Sequence, residues 1–287
     1  MDDLMAPRQG PGRIVFPERE DARIAAAAAR LAAEGHAEPL FLDSARPPAE
    51  YVDLILAHRP GLKPALAARM LAKPLFLAAA MVAAGEAEAM VAGAANPTRR
   101  VIEAAAMVIG LAEGVAIPSS FFLMRPRSGA AVIFADCALN VAPDAEALAA
   151  IARASRTSAR ALLGDARLAM LSFSTGHSGS GDSVECVRAA SELLRSEGVN
   201  VRGPVQADAA LDPVIAARKG IEGEAANVLI FPSLDAGNIA YKLLQELGGA
   251  QAIGPFLQGF ARPVCDLSRG AGVEDIVEAC KIALALA

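Results

Sequence analysis

Along the chain, short runs of consecutive apolar residues alternate with longer segments whose apolar positions recur every three to four residues. That alternation predicts β-α units around a largely parallel sheet, an α/β fold. Runs of strand length fall at 12–17, 38–42, 89–93, 130–136, 167–173, 199–202, 227–232 and 261–267. Segments of helical period fall at 20–34, 64–84, 98–111, 144–163, 183–196, 211–219, 235–247 and 273–284. The first of these has acids in its first turn and Gly35 where a left-handed cap belongs. Residues 174–183 read STGHSGSGDS between a predicted strand and a predicted helix. The segment is either a mobile connection or a cradle of backbone amides for phosphate. It lacks the Lys-Ser/Thr ending of a nucleotide P-loop, so no nucleotide reading rests on it.

Length and composition narrow the field. The chain has 287 residues, with 27 basic and 32 acidic side chains for a net charge of −5. A chain of this size makes one large or two medium domains and buries enough surface to need neither disulfides nor a structural metal. The 54% apolar content is inflated by alanine, and uncharged stretches such as 74–85 fall short of the ~20 residues of a membrane span. The N-terminus, Met1-Asp2-Asp3-Leu4, has no signal-peptide character, so a soluble protein at a cytoplasmic address is expected. An acidic balance and 4% aromatic residues argue against a nucleic-acid partner. Cys137, Cys186, Cys265 and Cys280 lie far apart and read as buried thiols, and His36, His58 and His177 are scattered, so metal catalysis is not expected.

The motifs carry more. The last third contains NVLIFP at 227–232, DAGNIAYK at 235–242, LGGAQAIGP at 247–255, DLSRG at 266–270 and VEDIV at 273–277. Upstream stand RIVFPEREDAR at 13–23, MVAGA at 90–94, SSFFLM at 119–124, FAD at 134–136, PDAE at 143–146 and MLSFST at 170–175. Spaced in this order over almost the whole chain, they resemble the phosphate acetyl/butyryltransferase family in its phosphate acetyltransferase branch.

The resemblance implies two α/β domains of isocitrate dehydrogenase-like architecture, with the active site in a cleft between them and a homodimer as the assembly. It divides the chain into 1–118 plus 261–287 and 119–260. The stretch 43–61 is shorter than the family usually has. The implied reaction moves an acetyl or similar short acyl group between coenzyme A and inorganic phosphate, by direct attack of a thiolate on acyl phosphate. Its substrates would be acetyl-CoA, phosphate and acetyl phosphate, with no metal and no cofactor.

By the same resemblance Asp275 would be the general base for the thiol, Ser268 the donor to the carbonyl as negative charge builds, and Arg269 the phosphate ligand. A carboxylate of pKa about 3.9 facing a thiol of about 8.5 is mismatched by roughly 4.6 units, about 6 kcal/mol, which desolvation and nearby cations would have to narrow. The alternative is that Ser268 caps a turn, Arg269 pairs with Asp275, and Asp275 favours a helix start. Gly237 suits close backbone approach, and Asn238 either binds ligand or caps a helix. Ser119 and Ser120 resemble the family's hinge or cleft edge, where they would bind substrate, or else stand at an ordinary strand start. Three arginines that the family usually carries fall on Ala57, Glu103 and Glu246 in this chain. Arg99 and Arg100, one helical turn before Glu103, either replace the lost charge or neutralise Glu103. These losses motivate the alternative function, a non-catalytic or respecialised member that binds a metabolite or a partner.

Overall fold

The computed structural model describes residues 10–127 and 129–287. The N-terminal reading at Met1 to Leu4 lies outside the described residues. The chain begins with β1 (Gly12–Val15), α1 (Ala22–Ala33), β2 (Ala37–Leu40), α2 (Val52–His58), α3 (Pro64–Leu71), α4 (Pro74–Ala83), β3 (Ala89–Ala92) and α5 (Thr98–Ala104). It continues through β4 (Ser119–Arg125), β5 (Val132–Ala135), α6 (Ala145–Leu163), β6 (Leu168–Leu171), α7 (Asp182–Ser196) and β7 (Val201–Val205). Then follow α8 (Ala207–Leu211), α9 (Pro213–Arg218), β8 (Val228–Ile230), α10 (Leu234–Gly248), β9 (Gln251–Gln258), β10 (Val264–Asp266) and α11 (Val273–Ala285).

Two compact units result, one spanning Ala116–Ile253 and the other taking the N-terminal segment up to Val115 together with Gly254–Ala287. In the second of these the strands run in the order β2-β1-β3-β10-β9. The first four are parallel, and β9 pairs antiparallel with β10. In the other unit the order is β4-β5-β8-β6-β7, parallel except for the β4–β5 pair. Each has its own core. Ile14, Val15, Phe16, Met90, Val91 and Ile276 are enclosed in the unit that ends in α11. Phe122, Met124, Phe134, Leu229 and Phe231 form the other, with Tyr241 stacked on Phe122 at 4.1 Å between centroids.

Local chemistry fixes the element ends. The first turn of α1 holds no acid, against expectation; instead Asp21 caps the helix by accepting from the Arg23 amide, and Gly35 follows it at φ +69°, as the sequence expects. The single helix expected over 64–84 is two, α3 and α4, bent by 104°. Pro74 causes the break: it has no N–H to donate and pushes Lys73 to an extended ψ of 134°. Pro213 likewise splits the segment at 211–219, where Asp212 caps α9 by accepting from Val214 and Ile215. Strands β4 and β9 lie outside the strand-length runs read from sequence; at β4 a strand start at Ser119 is the one sign of it, and β9 has none. Cys137, Cys265 and Cys280 are buried, whereas Cys186 is partly exposed, against the expectation that all four are enclosed. Among the described residues no single helix is long and apolar enough to cross a membrane.

Because β1, β3 and β10 are parallel, the loops that leave their C-terminal ends, 16–21, 93–97 and 267–272, gather at one edge of the sheet. That edge is where an open α/β sheet offers backbone and side chains to a ligand.

Candidate active site

The segment leaving β10 carries three of the residues singled out by sequence. Leu267 donates its amide to the Ala92 carbonyl at 2.6 Å, which seats the end of β10 against β3. The chain then turns outward, so that Ser268, Arg269 and Gly270 are exposed, and returns as α11. Ser268 Oγ accepts from the Gly270 amide at 3.3 Å and so braces the turn from within. Asp275 lies in the first turn of α11, where its Oδ2 accepts from the Gly272 amide at 3.0 Å. Two roles from the alternative reading, turn bracing by Ser268 and helix capping by Asp275, are therefore present. The third is absent: the Arg269 guanidinium makes no ion pair with Asp275 and no hydrogen bond among the described residues. Its neighbour Glu274 is taken by Arg30, a contact that raises the pKa of Arg30 through that hydrogen bond first.

A residue the sequence reading did not single out holds the turn in place. Arg23, in the first turn of α1, donates Nη1 to the Arg269 carbonyl at 2.7 Å and to the Ala271 carbonyl at 3.0 Å. Its Nη2 donates to the Ala94 carbonyl at 3.1 Å and to Asp21 at 2.7 Å. Asp21 in turn is held below the usual carboxylate range, chiefly by the hydrogen bond from Arg23. One guanidinium thus ties the ends of β3 and β10 to α1. The sequence signal was its place inside RIVFPEREDAR, but an arginine in a first helical turn reads as a surface residue.

Glu18, buried after β1, completes the scaffold. Its carboxylate accepts from the amides of Ala94 and Ala95 at 2.9 and 3.0 Å and from Asn96 Nδ2 at 2.7 Å. Beside it opens a cavity of about 770 Å³, walled by residues that include Pro17, Leu42, Pro74, Leu75, Phe76 and Arg100. Its charges are unevenly committed. Arg19 is paired with Asp43 at 2.6 Å, and Asp21 with Arg23. Arg100 has no side-chain partner among the described residues, and Lys73 lies 5.4 Å from the centre of the Phe76 ring. Arg99 is exposed one position earlier on α5 and does not line the cavity. Neither arginine pairs with Glu103, which is exposed, as are Ala57 and Glu246.

The remaining sequence candidates lie in the other unit, around Asp136. Ser119 and Ser120 are buried at the start of β4, and the Ser120 hydroxyl donates to Asp136 Oδ1. Asp136 also accepts from the amides of Ala138, Leu139 and Asn140. Gly237 is buried in the first turn of α10, where a Cβ would stand 2.3 Å from the Asp136 carbonyl oxygen, so close approach does require glycine there. Ser233, not Asn238, caps α10 by accepting from the Ala236 amide. Asn238 donates Nδ2 to the Cys137 carbonyl at 3.0 Å. The serine-glycine segment 174–183 is internally bonded, with Ser178 Oγ accepting from the Thr175 amide and Arg188 reaching the Gly176 carbonyl.

Comparison with known proteins agrees with the motifs. The family model described as phosphate acetyl/butaryl transferase matches residues 42–284. The chain is similar to the phosphate acetyltransferase of Paracoccus denitrificans, 40% identical over 94% of this chain and 93% of the relative. It is also similar to that of Treponema pallidum, 46% identical over 78% and 71% respectively. Among solved structures, a phosphotransacetylase from Streptococcus pyogenes superposes with a TM-score of 0.89 at 33% identity, covering 99% of this chain and 95% of that one. A 4-hydroxythreonine-4-phosphate dehydrogenase from Klebsiella pneumoniae, at 15% identity and a TM-score of 0.57 over 96% and 99%, shares the two-unit α/β fold alone. These relatives lend no support to the non-catalytic alternative. With its motifs, its fold and these matches in agreement, the chain belongs to the phosphate acetyl/butaryl transferase family.

Proposed function

We propose that this protein transfers an acetyl or similarly short acyl group between coenzyme A and inorganic phosphate. The observation that carries the reading is the Arg269 guanidinium, unpaired among the described residues and carried on a turn whose backbone Arg23 holds at two carbonyls. A planar guanidinium meets two oxygens of a phosphate at once, and none of its donors has to be released from an internal partner first.

In the proposed step the coenzyme A thiol gives its proton to Asp275 and the sulfur attacks the acyl carbon. A carbon–sulfur bond forms, the bond from carbon to the bridging phosphate oxygen breaks, and phosphate leaves with that electron pair. Ser268 donates to the carbonyl oxygen as charge builds there, and Arg269 neutralises the departing phosphate. Arg100, on the wall of the cavity, is assigned the anion contact left open by the glutamate at position 103. Neither a metal nor a prosthetic group is required by this chemistry. The family resemblance extends the reading to a cytoplasmic homodimer, which solution mass measurement tests.

The direct test incubates purified protein with coenzyme A and acetyl phosphate and follows thioester absorbance in the ultraviolet. Steady thioester formation that disappears in the Ser268→Ala, Asp275→Asn double variant is the expected outcome. A wild-type trace no faster than that of the double variant sinks the acetyl reading.

A further inference from the structure

One acid near the turn has no part in the chemistry just described. Asp266 ends β10, is 1% exposed, and neither carboxyl oxygen has a hydrogen-bond partner among the described residues. It is packed against backbone: a Cβ built on Gly93, where φ is +106°, would stand 2.4 Å from Asp266 Oδ1. The groups that face it are few. Glu18 comes from the loop after β1 with both oxygens already filled by donors. From α5 the Thr98 hydroxyl faces the carboxyl and favours its ionised form, more than Glu18 opposes it, without completing a hydrogen bond. The Cys265 thiol, on its own strand, is fully buried and pushed up by that burial and then by other acidic neighbours. Beside it on β3 stands Ala92, followed by Gly93, neither of them titratable.

A carboxyl that is enclosed, lacks donors and sits near the charge of Glu18 is disfavoured as an anion. Burial pushes Asp266 up to about 7, against the Thr98 hydroxyl and with a smaller push from Glu18. Two residues further on stand Ser268 and Arg269, carried by the same strand end whose Leu267 amide bonds Ala92.

We propose that Asp266 is a positioning residue for the Ser268–Arg269 turn and acts there as the neutral acid, enclosed with neither carboxyl oxygen bonded. When that proton leaves, the anion must draw in a donor. The Thr98 hydroxyl of α5 is the donor that faces it, and with Gly93 packed against Oδ1 the end of β10 shifts to meet that hydroxyl, carrying the turn with it. The consequence for activity rests on the acyl-transfer reading above; the protonation state does not.

The test compares wild type with Asp266→Asn, which keeps the shape and stays neutral. Thermal unfolding midpoints are measured from about pH 5 to about pH 9, alongside acyl transfer over the same range. The midpoint of the Asn variant, relative to wild type, rises as pH climbs through about 7. In wild type kcat falls on the alkaline side, by about tenfold per pH unit beyond the midpoint at most, while the Asn variant lacks that fall and keeps the wild-type KM for coenzyme A. Parallel unfolding curves and superimposable rate profiles overturn the proposal. If the Asn variant does not fold, infrared spectra of wild type decide: a protonated carboxyl band lost on raising pH supports the proposal, and its absence overturns it. Should wild type transfer no acyl group, the function falls, and the unfolding comparison still judges Asp266.

Discussion

At the scale of single residues, the site joins holding to reacting. Asp275 does both, since it accepts the Gly272 amide and is assigned the thiol proton. Replacing it by Asn keeps an oxygen for that amide but removes the basic site. Asp275→Asn therefore leaves the unfolding midpoint near wild type while kcat drops by about 10²- to 10⁴-fold, whereas Asp275→Ala loses the cap as well, at about 1 kcal/mol of stability. Steady-state rates beside thermal melts separate the two variants. Asp266 makes a different demand. Its carboxyl is raised from 3.8 to about 7, so the folded state binds its proton more tightly than the unfolded chain does. The stability this contributes is full below about pH 4 and is lost as pH rises through about 7. A shift of about 3 units is worth roughly 4 kcal/mol at most, at about 1.36 kcal/mol per unit. Denaturant titrations at pH 5 and pH 8 read about two thirds of it, and the difference vanishes in Asp266→Asn.

At the scale of elements, the parallel strands β1, β3 and β10 bring three sequence-distant loops to one edge, and Arg23 and Glu18 sew them together. The alternation of apolar runs and helical periods made most of these strands and helices legible. It could not reveal β9, whose Gly254-Pro255 pair looks like a turn until a neighbouring strand is there to receive it, nor the 104° break at Pro74 within one continuous apolar segment. The DLSRG turn and the start of α11 were readable because both motifs lie within ten residues of each other. Arg23 was not, since its four carbonyl and carboxylate partners come from three separate segments. Close packing at α10 gives the element-scale prediction. A methyl group at position 237 meets the Asp136 carbonyl, so Gly237→Ala destabilises the protein by about 1–3 kcal/mol, read as a lower denaturant midpoint with unchanged helical circular dichroism.

At the scale of the whole molecule, a net charge of −5 works against anionic substrates, so their attraction has to come from local cations such as Arg269 and Arg100. Both units carry their own core. The central claim is that Arg269 binds the phosphate of an acyl-transfer reaction. It is tested most directly by phosphate-dependent consumption of acetyl-CoA in wild type and in Arg269→Lys. Loss of the fork costs about 1.5–3 kcal/mol, so the variant is predicted to need about 10- to 100-fold more phosphate for the same rate, with its fold intact. Equal phosphate dependence in the two proteins contradicts the account.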